Sequence, residues 1–371
     1  MLCSTFFHNH HNDLVRITGV AGIGENRCKL VLAGGAFVVL CLGKNTQPPQ
    51  LLIQILHEAG NAGADGAEIV IVQLLSLGGL CSEKSSSRKH KVGTFFEHFL
   101  VDIVGNSGLF AGNRLTTSFY EYGMITHSNI EGAYAFVDGS QQLADLLVAE
   151  IKANGGEVIL NARVNKIHLE ADQVEYIELS SGERFYSNWF ISSLHPTTTF
   201  SMLENNTIYK KAFFTRMNSL VNTYGVFTTY LLIKPNTLKY VNQNHYMFNN
   251  RDVWSTEGLY KGFNIPSTLL CMQPHANSEY TQVVTLLTPM PQSQYERWMN
   301  TRLGNRGEEY KEFKEQFSEA VIDFACQFYP DLRNYIDKIY TASPLTYQDY
   351  TSAPEGCAYG GVKDCRNPLV T

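Results

Sequence analysis

Apolar and polar positions repeat most regularly between residues 136 and 196. Over residues 141–153, apolar side chains recur at steps of three and four, which predicts a helix with one buried face formed by Leu143, Leu146, Leu147 and Ile151. Asp138 or Ser140 is placed to cap the first turn of this helix. Gly155 and Gly156 follow it, and glycine readily adopts the positive φ angles that end a helix.

The residues after this helix predict a strand, a tight hairpin and a returning strand. Residues 157–169 alternate as a strand does, with one side formed by Val158, Leu160, Ala162, Val164 and Lys166. Residues 174–179 and 184–193 predict two further strands, joined by a turn over 180–183 that contains a glycine. The last strand leads into His195 and Pro196.

Further along the chain the pattern predicts a second sheet and two helices. Residues 225–233 and 282–288 read as strands, and residues 293–302 as a short helix. A long amphipathic helix is predicted over 308–328, with an inner face of Tyr310, Phe313, Phe317, Ala320, Val321 and Phe324. The mixture predicts an α/β protein with an added α+β lobe.

The first ninety residues differ in composition from the rest of the chain, since they are rich in glycine, alanine and short apolar runs. Residues 45–50 contain two prolines and are predicted to interrupt secondary structure. Residues 51–57 predict a short helix, and residues 68–77 a buried strand or helix. The longest apolar run, residues 30–43, is about fourteen residues, and a membrane-spanning helix needs about twenty. We therefore expect a buried strand or helix there.

Composition excludes some classes of function. Of the 371 residues, 44% are hydrophobic and 17% charged, so the chain can bury a core. The net charge of −6 gives no reason to expect a nucleic-acid partner, because the basic residues over 84–91 lie among serines and read as a solvated loop.

The eight cysteines are scattered, and none has the C-x-x-C spacing of a zinc or redox site. This usage is typical of a reduced, cytoplasmic chain. The first residues lack the order of a signal peptide. His8, His10, His11 and Asp13 could hold a metal, but a mobile tail explains them better, and no metal site is predicted.

Six short motifs follow one another at a specific spacing: FVDGS at 136–140, LAD at 143–145, GGEV at 155–158, NARV at 161–164, SGE at 181–183 and ISSLHP at 191–196. With PLTYQDYT at 344–351, followed by Gly356, Ala358, Tyr359 and Gly360, they resemble the family of phytoene desaturases, carotenoid isomerases and retinol saturases. Gly112 and NIEGAY at 129–134 bring the chain nearest to the saturase-like branch.

The resemblance implies an incomplete FAD/NAD(P)-binding Rossmann-like fold with an α+β substrate lobe. Residues 91–371 would form the oxidoreductase region, with a partial FAD-binding unit at 136–196 and a substrate lobe at 197–340, after an atypical segment at 1–90. The implied activity is FAD-dependent redox chemistry on C=C bonds of an apolar isoprenoid- or retinoid-like substrate, with NAD(P)H as a candidate electron donor. The alternatives are a non-catalytic remnant that binds apolar ligands and an incomplete gene product. Peripheral membrane contact is compatible with such a substrate.

Site residues follow from the same resemblance. Val164 matches a valine whose main chain pairs with the adenine of FAD, and a core strand residue is the alternative. Ser192 and Ser193 match a strand end near the cofactor. His195 invites a catalytic interpretation, although shaping the turn before proline is favoured. No catalytic residue is assigned.

The C-terminal motif gives the remaining candidates. Gly356, Tyr359 and Gly360 match the segment that approaches the isoalloxazine ring or the substrate, since glycine permits close approach of a flat ligand. A surface turn is the alternative. Aromatic residues upstream could line a tunnel for a long apolar substrate, although core packing is the commoner reason for them: Phe119, Tyr120, Tyr122, Tyr134 and Phe136.

The sequence shows no G-x-G-x-x-G motif, which a dinucleotide-binding helix needs at its start. Residues 19–24 carry glycines in the reverse order. The chain also stops at Thr371, before the family's final flavin-contacting motif. We expect either a misread gene segment over the first ninety residues or a divergent protein, and the abrupt change near His90 favours the first.

Overall fold

The computed structural model describes residues 135–249 and 262–362, together with the strand backbone of 29–33 and 37–41. Several predictions lie outside these residues. They concern the histidines near the start, the glycines at 19–24, the elements at 45–57 and 68–77, the basic loop at 84–91, Gly112, the motif at 129–134, and Phe119, Tyr120, Tyr122 and Tyr134.

The apolar run near residue 30 forms two strands. Strands β1 (Lys29–Ala33) and β2 (Phe37–Cys41) pair antiparallel. Strand β1 also pairs in parallel with β3 (Glu157–Ile159), which gives a three-stranded sheet in the order β2-β1-β3. The strand alternative predicted for this run is therefore the correct one.

Helix α1 (Gln141–Ala153) has the predicted bounds, and Ser140 is its N-cap residue. Its buried residues are Ala144 and Ile151, whereas Leu146 is 66% exposed. The predicted apolar face is wrong at this position, because the buried row runs through Ala144, which lies next to the leucine row on the helix surface.

The strand predicted over 157–169 is two strands. The chain breaks between β3 and β4 (Val164–Glu170), where Asn161 has a φ of 57°. An irregularity between Val164 and Lys166 then shifts the alternation, so that Ile167 and Leu169 are buried in place of Lys166. An alternation continued without interruption over residues 157–169 therefore predicts the wrong buried residues after Val164.

Strand β4 belongs to a second sheet with the order β6-β5-β4-β7. Strand β5 is Gln173–Leu179, β6 is Arg184–Tyr186 and β7 is Leu203–Glu204. The predicted turn is confirmed, since the N–H of Leu179 donates to the carbonyl of Glu183 at 2.8 Å. The last predicted strand is wrong beyond residue 186, because β6 pairs only with residues 176–178 of β5.

The third sheet is antiparallel, with the order β12-β8-β11-β10-β9. Its strands are β8 (Gly225–Ile233), β9 (His245–Phe248), β10 (Ser267–Met272), β11 (Val283–Met290) and β12 (Ile336–Ala342). The strands predicted over 225–233 and 282–288 are confirmed as β8 and β11. Three of the five strands, β9, β10 and β12, were not predicted.

Helix α4 (Glu308–Cys326) is the predicted amphipathic helix, and its aromatic face packs on this sheet. The rings of Phe227 and Phe317 lie 4.8 Å apart, and both side chains are fully buried. The short helix predicted over 293–302 is wrong. Two 3₁₀ turns (Gln292–Gln294 and Glu296–Trp298) take its place, because Tyr295 between them has non-helical backbone angles of −131° and 0°.

Four short helices and a third 3₁₀ turn (Pro354–Gly356) complete the described elements; the helices are α2 (Pro196–Ser201), α3 (Lys211–Asn218), α5 (Leu332–Tyr335) and α6 (Pro344–Thr351). The predicted α/β class is confirmed by these sheets and helices. Within the part of the chain that the structure describes, none of the helices combines the length and the apolar character needed to span a bilayer.

Candidate cofactor and substrate site

Two segments that the sequence marks separately lie together. Helix α2 and the segment after α6 meet through Thr198, whose hydroxyl donates to the carbonyl oxygen of Ser352 at 3.1 Å, across 154 residues of sequence. A Cβ atom on Gly360 would lie 3.8 Å from Cδ2 of His195. The structure therefore brings the ISSLHP motif and the C-terminal glycine motif into contact.

The lead-in to β8 holds the C-terminal segment in place. The N–H of Thr223 donates to the carbonyl of Gly360 at 2.9 Å, and the N–H of Ala358 donates to the carbonyl of Tyr224 at 3.0 Å. Asn222 forms an isolated antiparallel bridge with Gly361. Backbone pairing of this kind fixes the segment independently of its side chains, so that residue 222 is positioned beside the two predicted motifs.

Ser192 and Ser193 differ in what their hydroxyls do. Ser192 Oγ lies 2.8 Å from Thr199 Oγ1 and accepts from the N–H of Leu194 at 3.3 Å, so that it is used within its own loop. Ser193 Oγ is buried and has no hydrogen-bond partner among the described residues. Of the two predicted cofactor-binding serines, Ser193 is the one with hydrogen-bonding capacity left for a ligand.

His195 has a structural role that its sequence position indicated. Its Nδ1 accepts from the backbone N–H of Thr197 at 3.2 Å and so caps α2, which begins at Pro196. Burial lowers the pKa of the imidazole below its ordinary value of 6.5, while Asn222 and Glu355 act in the opposite direction. We therefore expect a neutral imidazole at pH 7.

Gly356 and Gly360 are glycines for different reasons. Gly356 has a φ of 63°, and a Cβ atom there would stand 1.9 Å from the carbonyl oxygen of Pro344. Packing against α6 therefore requires glycine at 356 whether or not a ligand binds. Gly360 has a φ of 74° and meets only ordinary contact, with His195. Tyr359 is 38% exposed and its ring meets that of Tyr224 edge to face at 6.3 Å.

Val164 is a core residue whose backbone faces a strand edge. Its side chain is 3% exposed and belongs to the same apolar cluster as Leu194. The N–H of Ser180 donates to the carbonyl of Arg163, which makes the adjoining Val164–Leu179 pair a non-hydrogen-bonded one. The N–H and C=O of Val164 therefore point away from β5, toward the edge on which β7 lies.

Strand β7 does not cover that edge at Val164. It pairs with β4 at Ile167 and His168, three residues further along. Among the described residues, β7 is the strand on this side of β4. The main-chain donor and acceptor of Val164 thus lie beyond its end, and both interpretations made from the sequence, core residue and main-chain binding residue, are compatible with this geometry.

Two features were not identified from the sequence. Asn222 and Glu355 flank His195 but lie outside every motif, and only the fold brings them there. In the hairpin of β4 and β5, one ligand atom each of His168, Glu170 and Glu175 lies within 4.8 Å of the others. Both carboxylates are exposed.

Phe136, which belongs to the aromatic stretch identified from the sequence, is also exposed.

No family model matches the chain. Among solved structures, an oxidoreductase from Methanosarcina mazei is 15% identical and matches with a TM-score of 0.43 over 75% of this chain and 60% of that one. An inactive all-trans-retinol 13,14-reductase from Danio rerio is 21% identical over 245 residues, which is 60% of this chain and 40% of that protein.

All-trans-retinol 13,14-reductases from Macaca fascicularis and Rattus norvegicus are 20% and 22% identical over 268 residues, 67% of this chain. The chain spans 44% of the length of these relatives. Together with the motifs at 136–196 and 344–360, these matches confirm the predicted resemblance: the chain is a relative of the retinol saturase-like oxidoreductases.

Proposed function

We propose that this chain carries part of an FAD-dependent oxidoreductase that acts on a C=C bond of an apolar, retinoid- or isoprenoid-like substrate. The relatives named all-trans-retinol 13,14-reductase support the class of substrate. The observation that carries the proposal is the main-chain edge of Val164, which presents one donor and one acceptor beyond the end of β7. The proposal includes the division into a partial FAD-binding unit at 136–196 and a substrate lobe at 197–340.

The residues present fit an adenine and an adjoining polar group. An adenine edge offers an amino donor next to a ring acceptor, which the C=O and N–H of a strand residue such as Val164 can match. Ser193 Oγ is a buried hydroxyl without a partner among the described residues, and Gly360 leaves room beside His195. When bound, FAD supplies hydride transfer.

The chain's own groups supply orientation and an apolar surrounding. Leu194, in the ISSLHP loop before α2, packs in one cluster with Val164, so that the proposed cofactor-contacting loop is anchored to β4. We expect His195 to be neutral at pH 7, because burial lowers its pKa, and the proposal gives it no proton-transfer role. NAD(P)H as electron donor, a cytoplasmic location and peripheral membrane contact belong to this proposal as well.

Competition between nucleotides tests the adenine contact without altering the chain. The purified protein is titrated with a fluorescent ADP analogue, which is then displaced by ADP or by IDP. IDP carries a carbonyl in place of the adenine amino group and a proton on N1, so that its acceptor faces the C=O of Val164 and its donor faces the N–H. We expect ADP to compete at least about tenfold better, because IDP loses both hydrogen bonds. Equal competition would remove the basis for the flavin assignment.

A second test addresses catalysis. The chain is mixed anaerobically with chemically reduced FAD and all-trans-retinol, and the products are separated by chromatography. A dihydro product that depends on the protein supports the proposal. Polyene binding without any product supports the second candidate, a non-catalytic module that retains the apolar lobe. The relative named as an inactive reductase favours considering this candidate.

A further inference from the structure

Three buried polar atoms in the ISSLHP loop and in the segment that pairs with Gly361 lack partners among the described residues. They are Ser193 Oγ, His195 Nε2 and Asn222 Oδ1. Buried polar groups are nearly always hydrogen-bonded in folded proteins, so that a cluster of unpaired ones needs an explanation. Ser193 and His195 lie on one loop, and Asn222 on the backbone segment that pairs with Gly361.

The protonation of His195 follows from its capping hydrogen bond. Nδ1 accepts from the N–H of Thr197, so that it carries no proton. In a neutral imidazole the proton is then on Nε2. Nε2 is therefore a hydrogen-bond donor, and Asn222 Oδ1 is an acceptor. The site offers one unpaired donor and one unpaired acceptor.

The two groups are close to each other but are not paired. A hydrogen-bonding interaction with the Asn222 side chain acts to raise the pKa of His195, although Nε2 and Oδ1 do not reach the distance and angle of a formed hydrogen bond. Their backbones are held independently, His195 by the first turn of α2 and Asn222 by its bridge to Gly361. The donor and acceptor are thus fixed side by side by the fold.

We infer that His195 and Asn222 bind the polar end of the ligand, a neutral group that accepts from Nε2–H and donates to Oδ1. Two such groups are compatible with the proposed function, on which this inference rests. One is the imide edge of a flavin, and the other is the hydroxyl of an apolar alcohol. In both cases the side chains of His195 and Asn222 bind the ligand and orient it. They select a ligand group that carries an N–H or O–H donor for Asn222 Oδ1.

Ligand analogues test the inference on the unaltered protein. Riboflavin is compared with 3-methylriboflavin, which has lost the imide N–H, and all-trans-retinol with its methyl ether, which has lost the O–H. Riboflavin lacks adenine, so the result is independent of the Val164 contact. We expect methylation to weaken binding about tenfold in one of the two pairs, and that pair identifies the ligand group.

Variants then assign the loss to the two residues. Asn222→Leu removes the acceptor at similar volume, and His195→Asn keeps an acceptor that can cap α2 while removing the Nε2 donor. Both variants should bind the sensitive ligand about tenfold more weakly than the wild type. In Asn222→Leu, which has lost the acceptor for the ligand's donor, methylation should make no further difference. Ser201→Ala, whose hydroxyl donates within α2 to the carbonyl of Thr198, is the matched control and should bind as the wild type does.

Direct pairing of His195 with Asn222 is the contrary explanation. It requires that both variants lower the melting temperature while leaving every ligand affinity unchanged, and that result would overturn the inference. Absence of binding by both riboflavin and retinol to the wild type would also overturn it. The ADP and IDP comparison depends on Val164 alone, so that the inference and the proposed function can fail separately.

Discussion

The carbonyl oxygen of Pro344 lies 1.9 Å from the point where a Cβ atom of Gly356 would be. Because Gly356 also has a positive φ, Gly356→Ala should suffer both backbone strain and a clash with α6. We expect a loss of about 3 kcal/mol or more in the free energy of unfolding, measured by urea denaturation. Gly155→Ala is the control, since Gly155 has a φ of 75° and no atom within 4 Å of its Cβ position. It should lose about 1 kcal/mol. Similar losses in both would contradict the packing explanation.

The ion pair between Arg306 and Asp349 is largely buried, with side-chain exposures of 6% and 21%. Arg306 also donates to the carbonyls of Trp298 and Thr301, so that it ties the 3₁₀ turns to α6. Asp349→Asn leaves a buried guanidinium without its counter-charge, which typically costs about 3–5 kcal/mol. Glu279→Gln breaks the exposed Lys239–Glu279 pair and should change the melting temperature much less, because water screens an exposed ion pair. Thermal melting of both variants checks the difference, and equal melting temperatures would refute it.

Burial of His195 makes stability depend on pH. Its folded pKa is lowered below the unfolded value of 6.5, so that the unfolded chain binds the proton more readily. The contribution is present above 6.5 and is lost as the pH falls through the folded pKa. His245, whose pKa burial also lowers, acts in the same sense. Denaturation at pH values of about 7 and about 5 should show a smaller loss in His195→Asn than in the wild type. An identical loss would show that His195 does not contribute.

The purified 371-residue chain should be colourless. One strand edge and one loop offer few contacts to a dinucleotide, and the sequence shows no G-x-G-x-x-G motif to hold its pyrophosphate. An absorption spectrum of the freshly purified protein is the measurement, with the supernatant after heat denaturation as the control for released flavin. A stoichiometric flavin spectrum would show that the chain retains FAD and that this prediction is wrong.

Local periodicity predicts some elements well because their burial follows one regular repeat. Helix α1 and strand β8 have the predicted bounds, and the inner face of α4 is largely the predicted one. The irregularity after Val164 breaks such a repeat, and the buried positions shift by one. Strand β10 was missed because its burial is almost continuous, without the alternation that identifies a half-buried strand.

The sequence by itself determined the relationship to the retinol saturase-like proteins and the residue types available at 192–195 and 356–360, because motifs are local. It did not place Asn222 beside His195, or direct the backbone of Val164 toward a strand edge. Those placements depend on pairing between segments that are far apart in the chain, such as Asn222 with Gly361. Tertiary structure decided them, since burial and hydrogen bonding at one segment depend on which other segment packs against it.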